Sequence, residues 1–89
     1  MITVNPTHSF SLGSATCGVY YANKGEGLPW HSHEQSHITS CIMGACAVRK
    51  GEKEIVVTKE SKPVLLTAPD SHEIEAIEDG TIFVNLLVL

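Results

Sequence analysis

Residues that interrupt regular structure recur along this chain at intervals of about 8 to 12 residues, the spacing of an all-β sandwich or barrel. Gly18, the stretch Asn23-Lys24-Gly25-Glu26-Gly27, Gly44, Lys50-Gly51-Glu52-Lys53, Pro63, Pro69-Asp70-Ser71 and Asp79-Gly80 cut it into short runs. The runs between them are rich in residues that suit a pleated, half-buried surface. Val19-Tyr20-Tyr21 and residues 38–43, 45–49, 54–59, 64–68, 72–77 and 81–89 are the strand candidates, and Ile55, Val56, Val57 and Thr58 are all β-branched. Residues 23–27, with two glycines, read as a flexible loop, and Asp79-Gly80 as a two-residue hairpin turn. No segment carries a sustained i, i+3, i+4, i+7 apolar stripe, so no long helix is expected.

The closing run, residues 81–89, is apolar on both faces rather than alternating. Such a strand is either central and covered on both sides or part of a subunit interface, because an exposed edge of this composition would aggregate. Size sharpens the question. With 89 residues the chain makes one domain and removes only about 60 to 65 % of its unfolded surface from water. Help from a metal, a second subunit or a very compact architecture is therefore expected.

The composition, 43 % apolar and 18 % charged, excludes a disordered or low-complexity chain. A formal net charge of −4 argues against nucleic acid or an anionic membrane as partner. No apolar run approaches the roughly 18 residues of a spanning helix, and the first residues do not read as a secretory signal. Cys17, Cys41 and Cys46 are odd in number and lack C-x-x-C spacing. They read as reduced, small buried hydrophobes in a cytoplasmic protein.

Three of the five histidines, His31, His33 and His37, fall within seven residues, and His72 follows much later. On a strand, positions i and i+2 share a face, so His31 and His33 can present two imidazoles to one centre. A straight strand would leave His37 about 20 Å from His31, whereas ligand nitrogens lie about 2 Å from a metal. The chain must therefore turn back through Glu34-Gln35-Ser36. His37 then opens the next antiparallel strand opposite the first pair, and His72 arrives from a later hairpin. Clustered neutral imidazoles suit Mn, Fe, Co, Ni, Cu or Zn. The alternative is four unrelated histidines, which these spacings explain poorly; His8 stands outside the cluster.

These spacings resemble a known pattern. Gly25-x5-His31-x-His33-x3-His37-x6-Gly44 keeps every interval of the first cupin motif, G-x5-H-x-H-x3–4-E-x6-G, with His37 in place of the usual Glu. Residues 63–76 resemble the second motif, G-x5-P-x-G-x2-H-x3-N, less closely. Pro63 and Ser71 replace its glycines, His72 comes two residues early, and the asparagine is missing. The chain thus looks like the small, single-domain, four-histidine cupins that bind manganese and similar metals. The resemblance implies a double-stranded β-helix (jelly-roll) barrel over residues 1–89, with motif 1 at about 25–44 and motif 2 at about 63–76. It implies one divalent transition metal per chain in the barrel mouth, with Mn or Fe favoured, and frequently a homodimer. Its ligands carry over to His31, His33, His37 and His72. If the shortened second turn keeps His72 away, three histidines and a water remain.

Exchanging Glu for His raises the formal charge of such a site from about +1 to about +2, which favours anionic or enolate-like ligands. Four protein ligands on a six-coordinate ion leave two open positions, whereas tetrahedral zinc would be closed and structural. The expected activity is that of a dioxygenase-like oxidoreductase acting on a small molecule. The alternatives are a non-catalytic metal or small-ligand binding module, and a metal-dependent isomerase or lyase with Glu34 or another carboxylate as base. If His37 faces inward, strand parity sets Thr39, Cys41 and Met43 on its side as pocket lining. Trp30 is expected as a hydrophobic anchor facing away from His31. Glu34 and Gln35 read as solvated turn residues, and Arg49, Lys50 and Lys53 as a solvated face.

Overall fold

The computed structural model describes residues 1–88 apart from His33 and Pro69; Leu89 and the side chain of Val88 also lie outside the description. Ten strands form: β1 (Ile2–Thr3), β2 (His8–Leu12), β3 (Ala15–Ala22), β4 (Glu26–His31), β5 (His37–Met43), β6 (Ala45–Lys50), β7 (Lys53–Thr58), β8 (Val64–Leu66), β9 (His72–Ala76) and β10 (Thr81–Val88). They make two five-stranded sheets, ordered β1-β4-β9-β6-β7 and β2-β3-β10-β5-β8. All pairings are antiparallel except β1 with β4. No helix of the described residues is long and apolar enough to cross a membrane.

The expected all-β architecture is present, and turn chemistry explains much of its path. Gly51 sits at the tip of the β6–β7 hairpin, where Lys50 pairs with Lys53. Gly44 does something different. Its one-residue link carries the chain from β5 in one sheet to β6 in the other. Its φ is +76°, and an added Cβ would run into Thr81.

Asp79-Gly80 corrects a simple reading. The two residues do form a turn, but β9 and β10 belong to different sheets, so the turn is a crossover and not a hairpin. Its partners explain the difference. Asp79 Oδ1 accepts from the Lys24 amide at 2.9 Å, and the Gly80 amide donates to Asn23 Oδ1 at 3.0 Å. Thr81 is thereby delivered to Ala22 of β3. The 23–27 segment is also more ordered than a flexible loop, since Glu26 and Gly27 already belong to β4.

β10 is central, flanked by β3 and β5. Its inward Phe83 is fully buried among Cys41, Cys46, Val48, Val57, Leu66 and Ile74. The Tyr20 ring stacks on Phe83 with centroids 4.9 Å apart. All three cysteines are buried free thiols, and burial pushes Cys46 up to about 12.

Arg49 is not simply part of a solvated face. Its guanidinium donates to Glu54 at 2.8 Å and to Glu73 and Glu75 at 2.7 Å each, joining β7, β6 and β9. The carboxylates of Glu75 and then Glu73 raise the guanidinium pKa further above its ordinary value. Lys53 is exposed, as expected, while Lys50 reaches Asp70 at 3.5 Å.

Two alanine substitutions separate conformational strain from crowding. At Gly51, φ is +59° and nothing lies within 4 Å of an added Cβ, so Gly51→Ala should cost about 1–2 kcal/mol in a denaturant titration. Gly44→Ala adds overpacking against Thr81, worth about 1–3 kcal/mol more. Equal costs at the two positions would contradict this account of the crossover.

Candidate metal centre

The site lies at one end of the sandwich, where β4 ends and β5 and β9 begin. Antiparallel register would continue from Leu28↔Ile74 to Trp30↔His72, but the observed pair is His31↔His72. One extra residue is therefore accommodated in β4 around Pro29 and Trp30. Proline suits such a position because it has no amide to give to the ladder. A bulge of this kind re-aims the following side chain. Here it brings the His31 ring against His72 and leaves Trp30 50 % exposed.

Trp30 is thus not a core anchor. It lines two cavities, one of about 420 Å³ against His31 and His37 and one of about 670 Å³ near the β6–β7 turn, β8 and Asp70.

His37 opens β5, as expected, but not as the antiparallel neighbour of the His31 strand. β5 lies in the facing sheet, where His37 pairs with Leu87 of β10 and Leu66 of β8. Both His37 and His72 are buried. The ring centroids of His31 and His72 are 4.4 Å apart, and those of His37 and His72 are 4.7 Å apart. His72 therefore reaches the cluster despite its early position in the second motif. The remaining expected ligand, His33, lies outside the described residues.

Two backbone contacts set the chemistry of this cluster. His31 Nδ1 donates to the Pro29 carbonyl at 2.6 Å, and His72 Nδ1 donates to the Asp70 carbonyl at 3.1 Å. A carbonyl can only accept, so each Nδ1 carries the hydrogen and each neutral ring keeps its lone pair on Nε2. Metal-binding imidazoles are commonly oriented in this way. Among the described residues, no three His, Cys, Asp or Glu side chains form a ready ligand group. What fits a divalent transition metal is the donor set itself: imidazoles from both sheets, two of them with fixed tautomers.

The neighbouring cavity is walled by Leu28, Pro29, Leu87 and Trp30, with Tyr20 and Asn85 as further polar groups. Burial raises the Tyr20 phenol above its ordinary pKa. Neither Tyr20 nor Asn85 stands out as a site residue in the sequence, although Asn85 interrupts an apolar run and so carried a signal.

Of the expected lining, Thr39 and Cys41 do share the buried side of β5 with His37. Neither lines the two cavities described here. Met43 is 55 % exposed, contrary to strand parity. Successive residues Ile82 and Phe83 pair with Met43 and Cys41, so Ile42 is an extra residue and parity is lost there. Glu34 is exposed and Gln35 half-buried, and His8 is exposed on β2, away from the cluster.

No family model matches this sequence, and no curated protein matches it. Solved structures do match. KdgF from Halomonas sp. superposes with a TM-score of 0.81 at 14 % identity, covering 96 % of this chain and 77 % of that one. A Klebsiella pneumoniae protein with a double-stranded β-helix domain gives 0.81 at 12 % identity, covering 97 % and 72 %.

The chain has the double-stranded β-helix fold that its resemblance to cupins implies.

A candidate mannose-6-phosphate isomerase from Ralstonia eutropha also shares this fold, with a TM-score of 0.74 at 13 % identity over 96 % of this chain and 82 % of that one. The jelly-roll barrel implied by the first motif is therefore present. His31, His37 and His72 lie where strands of both sheets meet.

The assigned tautomers can be read directly. In metal-free protein in alkaline solution, ¹⁵N-detected histidine spectra should show His31 and His72 protonated at Nδ1. Protonation at Nε2 in either ring would contradict the carbonyl contacts.

Proposed function

We propose that this chain is a mononuclear metal protein acting on a small molecule at the mouth of its barrel, as an oxidoreductase of the dioxygenase type. The observation that carries this reading is the three-imidazole cluster. His31 and His37, from opposite sheets, meet on His72 beside a cavity of about 420 Å³, a size suited to a small ligand. His31, His37 and His72, with His33, would hold one divalent metal per chain, Mn or Fe by preference. Such an ion supplies Lewis acidity and, as Fe or Mn, redox reach to dioxygen.

The chain's own groups favour this chemistry over carboxylate-based proton transfer. Glu34 is exposed, and no carboxylate is among the residues described as lining the cavity beside His31 and His37. Tyr20 lines it, but burial makes its phenol a weaker acid than usual. The residues thus bind and orient, leaving the reactive step to the metal. The likeness to a candidate mannose-6-phosphate isomerase supports a second reading, a metal-dependent isomerase at the same site. Non-catalytic binding is the third.

Titration of tag-free protein with Mn and Fe should give one metal per chain. His37→Ala and His72→Ala should weaken binding by at least about tenfold, while exposed His8→Ala leaves it unchanged. No stoichiometric binding of Mn, Fe, Co, Ni or Zn would contradict the proposal. Oxygen uptake by the Fe or Mn form is expected with one of three classes: diketones, catechols or thiols. No uptake with any of them would leave isomerisation or binding.

We also infer a homodimer, formed through the outer face of the β2-β3-β10-β5-β8 sheet. Phe10, Cys17, Leu86, Ile38 and Leu65 align in register across all five strands. Val19 and Val84 pair beside them, as do Tyr21, Ile82 and Met43. None of these residues is charged, and five strands about 4.8 Å apart, averaging about 20 Å in length, present roughly 500 Å² in projection. Monomers rarely expose an apolar patch beyond a few hundred Å². With side-chain relief, the area approaches the roughly 800 Å² per partner of a stable interface. A second copy of the same uncharged face is the complementary occupant. Light scattering should report a dimer, and Ile38→Glu a folded monomer; a wild-type monomer at high concentration would contradict the interface.

A further inference from the structure

Asn85 is a polar residue in an otherwise apolar stretch of β10, and it faces inward at 3 % exposure. Burying an amide is costly unless its groups find partners. One partner is visible: Thr39 Oγ1 donates to Asn85 Oδ1 at 2.7 Å. This bond occupies the amide oxygen on the β5 side. It also distinguishes the two ends of the amide, making the NH₂ group the end left to serve the cavity that Asn85 lines.

The position on the opposite flank of Asn85 is Gly18 of β3. A Cβ there would lie 3.1 Å from Tyr20 Cε1 and 3.3 Å from its hydroxyl. The missing side chain therefore makes room for the phenol, which lies over Gly18 beside Asn85. Tyr20 lines the same cavity. Two neutral donors, the Asn85 Nδ2 group and the Tyr20 hydroxyl, thus share a wall of the cavity that His31 and His37 also line. The other described walls are largely apolar, and none of them carries a carboxylate, a lysine or an arginine.

We propose that Asn85 is a specificity-determining residue for a small carboxylate that bears a second oxygen. In this arrangement Asn85 Nδ2 donates to one ligand oxygen, supported by Tyr20, while another oxygen faces the imidazoles. Thr39 is the positioning residue that sets the amide. The choice of an anion rests on the metal-site reading, because neutral imidazole ligands leave a divalent charge uncompensated. The donor geometry stands without it.

The test uses pyruvate and lactate as probes and isopropylamine as a size-matched cation. In metal-free and Mn-loaded protein, pyruvate or lactate should shift the Asn85 side-chain amide resonances, and isopropylamine should not. Asn85→Leu should weaken binding of the shifting probe at least about tenfold, as expected for losing a hydrogen bond to a charged group. Thr39→Val should weaken it less, and Thr39→Ser should restore it. Mn affinity should be unchanged in all three variants. If Asn85→Leu does not fold, the Thr39 pair carries the test. No amide shift with either carboxylate in any form, or equal probe affinity in wild type and the folded variants, overturns the inference. Loss of Mn binding by the wild type with the amide shift retained would overturn the metal reading instead.

Discussion

The His72 imidazole packs against His31 within its own sheet and against His37 across the sandwich. The functional reading depends on this contact. It ties the start of β9 to the end of β4 and the start of β5, at an end of the barrel where strands begin and stop. Burying rings that carry polar nitrogens is unfavourable unless those nitrogens are used. The carbonyls of Pro29 and Asp70 accept from two of the Nδ1 groups. The arrangement therefore has both structural and chemical consequences: it orients the rings and leaves Nε2 as the basic nitrogen of each.

At the opposite end, the sheets solve the problem of small size in a particular way. Gly44 and Asp79-Gly80 move the chain between sheets in very few residues, so little of the chain is spent on connections. The interior below the histidines is apolar, centred on Phe83, and Arg49 fastens three strands on one sheet. The polar interior groups are concentrated nearer the histidines, where Thr39 and Asn85 bond to each other. A barrel of 89 residues has little core to give away, so an inward amide next to the imidazoles is informative.

Much of this was legible in the sequence because it depends on local chemistry. β-branched runs and turn residues mark β5, β6, β7, β9 and β10, and the spacing of His31, His37 and His72 anticipates their meeting. The failures share a physical origin. Strand parity assumes an unbroken ladder, and extra residues near Trp30 and Ile42 break it. Met43 therefore lies outside, where simple alternation would have it on the side of His37, and Trp30 stands half-exposed beside His31 where a packed anchor facing away from it is expected. Asp79-Gly80 carries a real turn signal, but its hydrogen bonds to Asn23 and Lys24 decide which strands it joins. Arg49 looked solvated because its partners Glu73 and Glu75 are distant in sequence. β2, with five exposed residues, lacks the burial pattern that would have marked it.

The central claim is that imidazoles from both sheets converge on one metal. X-ray absorption on the Mn- or Fe-loaded protein counts these ligands directly. The account predicts three or four imidazole nitrogens at about 2.0–2.2 Å, with one lost in His72→Ala. A bound metal whose first shell contains no imidazole, or is unchanged in His72→Ala, would contradict it.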